Sequence, residues 1–81
     1  MREIVYLVRK GNKYLQAVTG EEGETDVTKM RLTFSIYRYD AVQLPGVAIA
    51  KQTIQALRKD GDDSWGISRY NKVTYFEEVL F

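Results

Sequence analysis

The sequence predicts a small α+β domain, a mostly antiparallel sheet with one helix packed on a face. Three observations predict it. A Gly-Asn pair separates two β-branched, aromatic segments near the amino end. A later run alternates apolar and polar residues, as a half-buried strand does. One amphipathic stretch then repeats its apolar residues at intervals of three and four before a final run of strand formers.

The first two strands are expected near residues 3–9 and 13–19, from Ile4-Val5-Tyr6-Leu7-Val8 and Tyr14-Leu15-Gln16-Ala17-Val18. Between them, Gly11 and Asn12 suit the positive-φ positions of a tight hairpin turn, flanked by lysines in solvent. Gly20 to Asp26 holds two glycines and four acids with no apolar residue, and reads as an exposed loop. From Arg31 to Tyr39, Leu32, Phe34 and Ile36 fall on one face and Thr33, Ser35 and Tyr37 on the other, a third strand.

Asp40 to Leu44 predicts a short turn or a single helical turn capped by Asp40. Pro45 suits the first turn of a helix, where its missing N–H is no loss. From Pro45 to Lys59 the stripe Val47, Ala50, Ile54, Leu57 faces a core, widened by Ala48, Ile49 and Ala56. Lys51, Gln52, Gln55, Arg58 and Lys59 form the wet face, and Gly61 is the natural terminator. Asp60 to Ser64 is a polar loop. Trp65 to Tyr70 has no decisive pattern, although Trp65 itself fits a core plug better than a partner anchor. Val73 to Leu80 reads as a last strand, its alternation broken at Tyr75-Phe76 and Val79-Leu80 by a bulge or a two-sided environment. The order is ββ-β-α-β in a single domain, residues 1–81.

Composition removes whole classes of chemistry. Cysteine and histidine are both absent. Disulfides, thiolate metal sites, imidazole ligands and the commonest general base are therefore excluded. Nucleotide-binding glycine motifs are missing. No stretch approaches the roughly 20 apolar residues of a membrane span, and Met1-Arg2-Glu3-Ile4 lacks the form of a signal peptide, so a cytoplasmic location is expected. The net charge of +1 is evenly spread, with seven basic and six acidic residues up to Asp40 and five of each after it. Neither half would gather phosphates by bulk electrostatics.

The acidic clusters fail as sites on inspection. Counted from Asp60 as the first position of a calcium loop, the sixth position is Trp65 rather than glycine, and the twelfth is Asn71 rather than glutamate. Glu21, Glu22, Glu24 and Asp26 lie in a glycine-containing loop without the rigid, desolvated setting a carboxylate pair needs. Glu77 and Glu78 are strand neighbours on opposite faces. Ser68 and Lys72 form a nominal pair that nothing orients. The reading assigns no catalytic residue, no metal and no cofactor.

What remains is basic and aromatic. Tyr37, Arg38 and Tyr39 close the expected third strand, and Arg69, Tyr70 and Lys72 open the expected last one. Arg9, Lys10, Lys13 and Tyr14 flank the hairpin. On one sheet face, such groups would stack bases and hold phosphates, or equally serve as protein-binding hot spots. Tyrosines filling a half-buried sheet would give the same pattern without a ligand. Tyr37, Arg38, Tyr39, Arg69, Tyr70 and Lys72 are thus the candidate binding surface, with a protein the expected partner and nucleic acid the alternative. The apolar Val79-Leu80-Phe81 segment either docks internally or pairs with a second copy, making a homodimer.

The hairpin Arg9-Lys10-Gly11-Asn12-Lys13-Tyr14-Leu15, the spacing Ala41-x-x-Leu44-x-x-x-Ala48 and the terminal strand together give a resemblance. The chain resembles small uncharacterised proteins encoded by bacteriophages and prophages of Gram-positive bacteria. It departs from them in Pro45 and in its acidic loop. The resemblance implies no catalytic residue, and implies an accessory protein that acts by binding.

Overall fold

The computed structural model describes residues 3–23, 25–26 and 29–81. Met1 and Arg2, which entered the signal-peptide reading, and Glu24 of the acidic loop lie outside the described residues, as do Val27 and Thr28. Strands β1 (Ile4–Lys10), β2 (Lys13–Thr19) and β3 (Arg31–Ser35) are followed by a 3₁₀ turn at Arg38–Asp40 and helix α1 (Val47–Leu57). Strands β4 (Trp65–Asn71) and β5 (Phe76–Val79) close the order. The five strands form one antiparallel sheet, β3-β2-β1-β4-β5, with α1 against β1 and β4.

The first hairpin turns where the glycine permits it. Gly11 takes φ +63 while Asn12 keeps a negative φ, the arrangement of a two-residue loop with glycine first. The two strands then part. Their paired register covers Arg9↔Tyr14 and Lys10↔Lys13, after which residues 42–44 wedge between them. Tyr6 exchanges backbone bonds of 2.8 and 3.0 Å with Leu44, and the Val42 N–H donates to the Leu15 carbonyl at 2.9 Å. The wedge meets main-chain groups that the opened hairpin would leave unpaired. On its other side β1 pairs with β4 throughout, from Ile4↔Asn71 to Lys10↔Trp65.

The helix-side core is built from Val8, Leu15 and Ile67 of the sheet and Ala50 of α1, all fully buried. Val47, Ile54, Leu57, Phe34, Trp65 and Leu80 close around them. Burying an aliphatic side chain of this size stabilises by about 1.5–3 kcal/mol, and alanine at position 50 lets the helix approach the strands closely. Trp65 is the core plug the sequence favoured. Its ring lies 6.0 Å from that of Phe34, with Lys10 Nζ 5.6 Å from its centroid.

Several expected boundaries move. The third strand stops at Ser35 instead of continuing to Tyr39. There Ser35 Oγ accepts the Tyr37 N–H at 3.1 Å and donates to Asp40 Oδ2 at 2.8 Å, folding the chain into the 3₁₀ turn. Ile36 is consequently exposed, and Asp40 ties back to Ser35 instead of capping a turn. Helix α1 starts after Gly46, leaving Pro45 outside, and ends at Leu57. Gly61, at φ +81, serves the turn in which the Asp62 N–H reaches the Lys59 carbonyl at 3.1 Å. Ala48, Ile49 and Ala56 face solvent, so the buried stripe is the narrow one.

The undecided Trp65–Tyr70 segment is most of β4, which makes the order ββ-β-α-ββ. The expected last strand divides accordingly into a turn at residues 72–75 and β5. Asn71 Oδ1 accepts the N–H groups of Val73 (2.9 Å) and Thr74 (3.2 Å), and Tyr75 closes the loop at φ +58.

Candidate interaction surface

The alternation of β4 decides where the candidate residues go. Ile67 and Arg69 fall on the helix side of the sheet, while Ser68 and Tyr70 fall on the other. On that second face Leu7 and Ser68 stand opposite each other, both fully buried. Four polar and aromatic side chains link up on the same face. The Arg38 guanidinium lies 4.7 Å from the centre of the Tyr70 ring and 3.8 Å from Glu77 Oε1. The Tyr14 hydroxyl donates to the same carboxylate, 2.8 Å from each oxygen. The 3₁₀ turn is what brings Arg38 over the sheet.

The six candidate residues therefore do not form one face. Arg38 and Tyr70 are brought together, and Tyr37 stacks on Tyr39 at 5.2 Å and 20°, with 51% and 72% of their surfaces exposed. Arg69 lies on the opposite side of the sheet, hydrogen-bonded and ion-paired to Glu78. Lys72, in the β4–β5 turn, donates to Gln43 Oε1 at 3.2 Å. Each of the three cations already has a protein partner.

The Glu78 carboxylate raises the Arg69 pKa further above its ordinary value. Burial first, and then the bond to Glu77, push the Tyr14 hydroxyl up. Asp62 is held down at about 2, chiefly because its carboxylate accepts the Ser64 hydroxyl (2.6 Å) and the Ser64 N–H (3.0 Å). Lys10 Nζ, 3.4 Å away, adds to this. Asp62 is thus spent on closing its own loop. Among the described residues no group of three or more acidic side chains could hold a metal ion. Ser68 Oγ is buried without a hydrogen-bond partner among the described residues, whereas the Lys72 ammonium lies at Gln43, so the two make no nucleophile–base pair.

Sequence reasoning singled out Val79-Leu80-Phe81 but missed that the exposed edge extends back through Phe76 to Val73. Phe76 and Val79 are each 63% exposed, and Val73, Tyr75 and Phe81 beside them are also exposed. The broken alternation of Tyr75-Phe76 and Val79-Leu80 was its signal. Leu80 turns inward against the core, its N–H bonded to the Ile67 carbonyl at 2.8 Å, while its neighbours on both sides stay outside. Close by, Gly66 is buried where a methyl group would run into the Phe81 main-chain oxygen, so the chain packs down only because no side chain intervenes.

Fold and surface together define a small α+β domain with a five-stranded antiparallel sheet, one covering helix and an edge strand, β5, that exposes Phe76 and Val79 beside two carboxylates. Comparison with known proteins returns no matching family model, no matching curated protein and no matching solved structure. No helix among the described residues is long and apolar enough to cross a membrane.

Proposed function

We propose that the protein is a non-catalytic module that binds another protein, an accessory factor of the phage or prophage kind its sequence resembles, acting in the cytoplasm. One observation carries the reading. Edge strand β5 exposes Phe76 on the helix side of the sheet and Val79 on the other, and Val73 and Tyr75 in the turn before it are exposed as well. An unpaired strand edge with exposed apolar and aromatic side chains is a ready interaction surface, and aromatic residues supply much of the binding energy at such surfaces.

A nucleic-acid reading draws its support from the exposed Tyr37–Tyr39 stack, which offers a ring face to a base. It is the weaker reading, because Arg38, Arg69 and Lys72 are already bonded within the protein. A tagged pull-down from bacterial lysate, with and without nuclease, separates the two. A protein retained after nuclease by the wild type and lost on Phe76→Asp is the expected result. A monomer that retains nothing, or one whose partners all leave with nuclease, overturns the proposal.

A further inference from the structure

The β5 edge has a direction, a register and a charge pattern that restrict what can pair with it. Antiparallel ladders alternate between residues that bond the neighbouring strand and residues whose N–H and C=O point away. Leu80 bonds towards β4, in register with Ile67, so Phe76 and Glu78 do likewise by alternation. Glu77 and Val79 then turn their main-chain groups outward, where no further strand follows in the sheet among the described residues.

A second copy fits this edge poorly. The two-fold register that uses both outward residues pairs Glu77 with Val79 of the other copy, and brings the two Glu78 side chains directly opposite each other. A register centred on Glu77 needs Tyr75, which is in the left-handed region at φ +58 and is not extended. A register centred on Val79 needs Phe81, whose N–H turns inward to the Ile67 carbonyl at 3.3 Å.

The two carboxylates differ in what they leave open. Both oxygens of Glu77 accept from Tyr14, and one also faces Arg38. Arg69 pairs with Oε2 of Glu78. The carboxylate has lone pairs for a second cation across the edge, and its side chain is 45% exposed.

Resting on the protein-binding reading, we propose that β5 accepts an added antiparallel strand from another protein, with apolar residues facing Phe76 and Val79 and a basic residue facing Glu78. Main-chain bonds to Glu77 and Val79 would supply affinity, and the side-chain pattern would supply selection.

The probe is the acetylated, amidated peptide Thr-Val-Lys-Thr-Val-Thr, whose Val-Lys-Thr-Val core runs antiparallel opposite residues 79 to 76. The control replaces its Lys with Glu. Titrated into isotope-labelled protein, the Lys peptide is expected to shift the Glu77 and Val79 amides saturably and slow their hydrogen exchange. The Glu peptide is expected to bind at least tenfold more weakly, and the preference inverts in Glu78→Lys, which also shows that this variant is folded. Equal binding of both peptides, shifts confined to β3, or no shift at Glu77 and Val79 overturns the proposal. So does perturbation of those amides that grows with protein concentration alone, which assigns the edge to a second copy. Val79→Pro removes an outward N–H that β4 does not use. A nuclease-resistant protein partner held equally by wild type and Val79→Pro sinks strand addition while leaving the protein-binding reading intact.

Discussion

The Tyr14 hydroxyl donates to the Glu77 carboxylate at 2.8 Å from each oxygen, joining β2 to β5 although β1 and β4 lie between them in the sheet. It does so on the face where Leu7 is buried, away from the helix, and Arg38 approaches the same carboxylate from the 3₁₀ turn. The sheet therefore has a small second core closed by a hydrogen-bonded lid.

Removing the hydroxyl tests the lid. Tyr14→Phe is expected to destabilise the domain by about 1–2 kcal/mol, since a bond to a charged, half-buried acceptor is lost. The pH dependence has a definite sign. Tyr14 has a raised pKa in the folded protein, so its contribution is complete below the unfolded value near 10 and disappears as pH rises through the folded value. Urea unfolding of wild type and variant between pH 7 and pH 12 should show their stabilities converging only above about pH 10. A constant gap across that range would separate the effect from the hydroxyl's ionisation.

Beneath the lid, Leu7 and Ser68 are both fully buried and opposite each other, yet they should respond in opposite ways. Leu7→Ala leaves a cavity and is expected to cost about 2–5 kcal/mol, a large part of the roughly 5–10 kcal/mol available to a domain of this size. Ser68→Ala removes an unpartnered buried hydroxyl, so it should be neutral within about 0.5 kcal/mol or stabilising. Denaturant midpoints at neutral pH give both values. A loss above about 1 kcal/mol for Ser68→Ala would mean that the hydroxyl has a bound partner such as an ordered water.

The loop after the helix has its own acid limb. Asp62, at about 2, is ionised in the folded protein well below the pH at which an unfolded aspartate protonates. Its contribution is present above about pH 4 and is lost as pH falls through about 2. Asp62→Asn should flatten the fall in melting temperature across that window and leave the alkaline limb unchanged. An acid limb identical to that of wild type would show that the Ser64 and Lys10 contacts do not hold the carboxylate in solution.

What was legible in the sequence was periodic. The first hairpin, the apolar stripe Val47, Ala50, Ile54, Leu57 and the single-helix α+β class follow from spacing, and the structure has them. Boundaries set by a side chain bonding its own backbone were not legible. Ser35 ends β3 and Asn71 opens the last turn through contacts that no periodicity registers. Strand β4 escaped because residues 66–68 are buried on both faces, with Gly66 and Ser68 taking places where an apolar residue would have betrayed a strand. The candidate surface was half legible. Composition found Arg38 and Tyr70, but only the 3₁₀ turn puts one over the other, and strand parity sends Arg69 to the far side.

That division of the cations leads to a prediction about nucleic acid. Phosphate binding depends on cations that can exchange small counterions for the backbone, and the salt slope counts them. Arg38 faces Glu77, Arg69 pairs with Glu78, and Lys72 donates to Gln43. Engaging a phosphate would mean giving up contacts within the protein. A fluorescent oligothymidylate is therefore expected to bind no more tightly than the roughly 10⁻⁴–10⁻⁶ M of non-specific association at physiological salt. Tyr39→Ala should change that affinity by less than about twofold, against a loss of about 1–3 kcal/mol if a base stacked on the ring. Tight binding with a steep salt slope, abolished by Tyr39→Ala, would instead make the Tyr37–Tyr39 stack a base platform and displace the β5 edge as the principal surface.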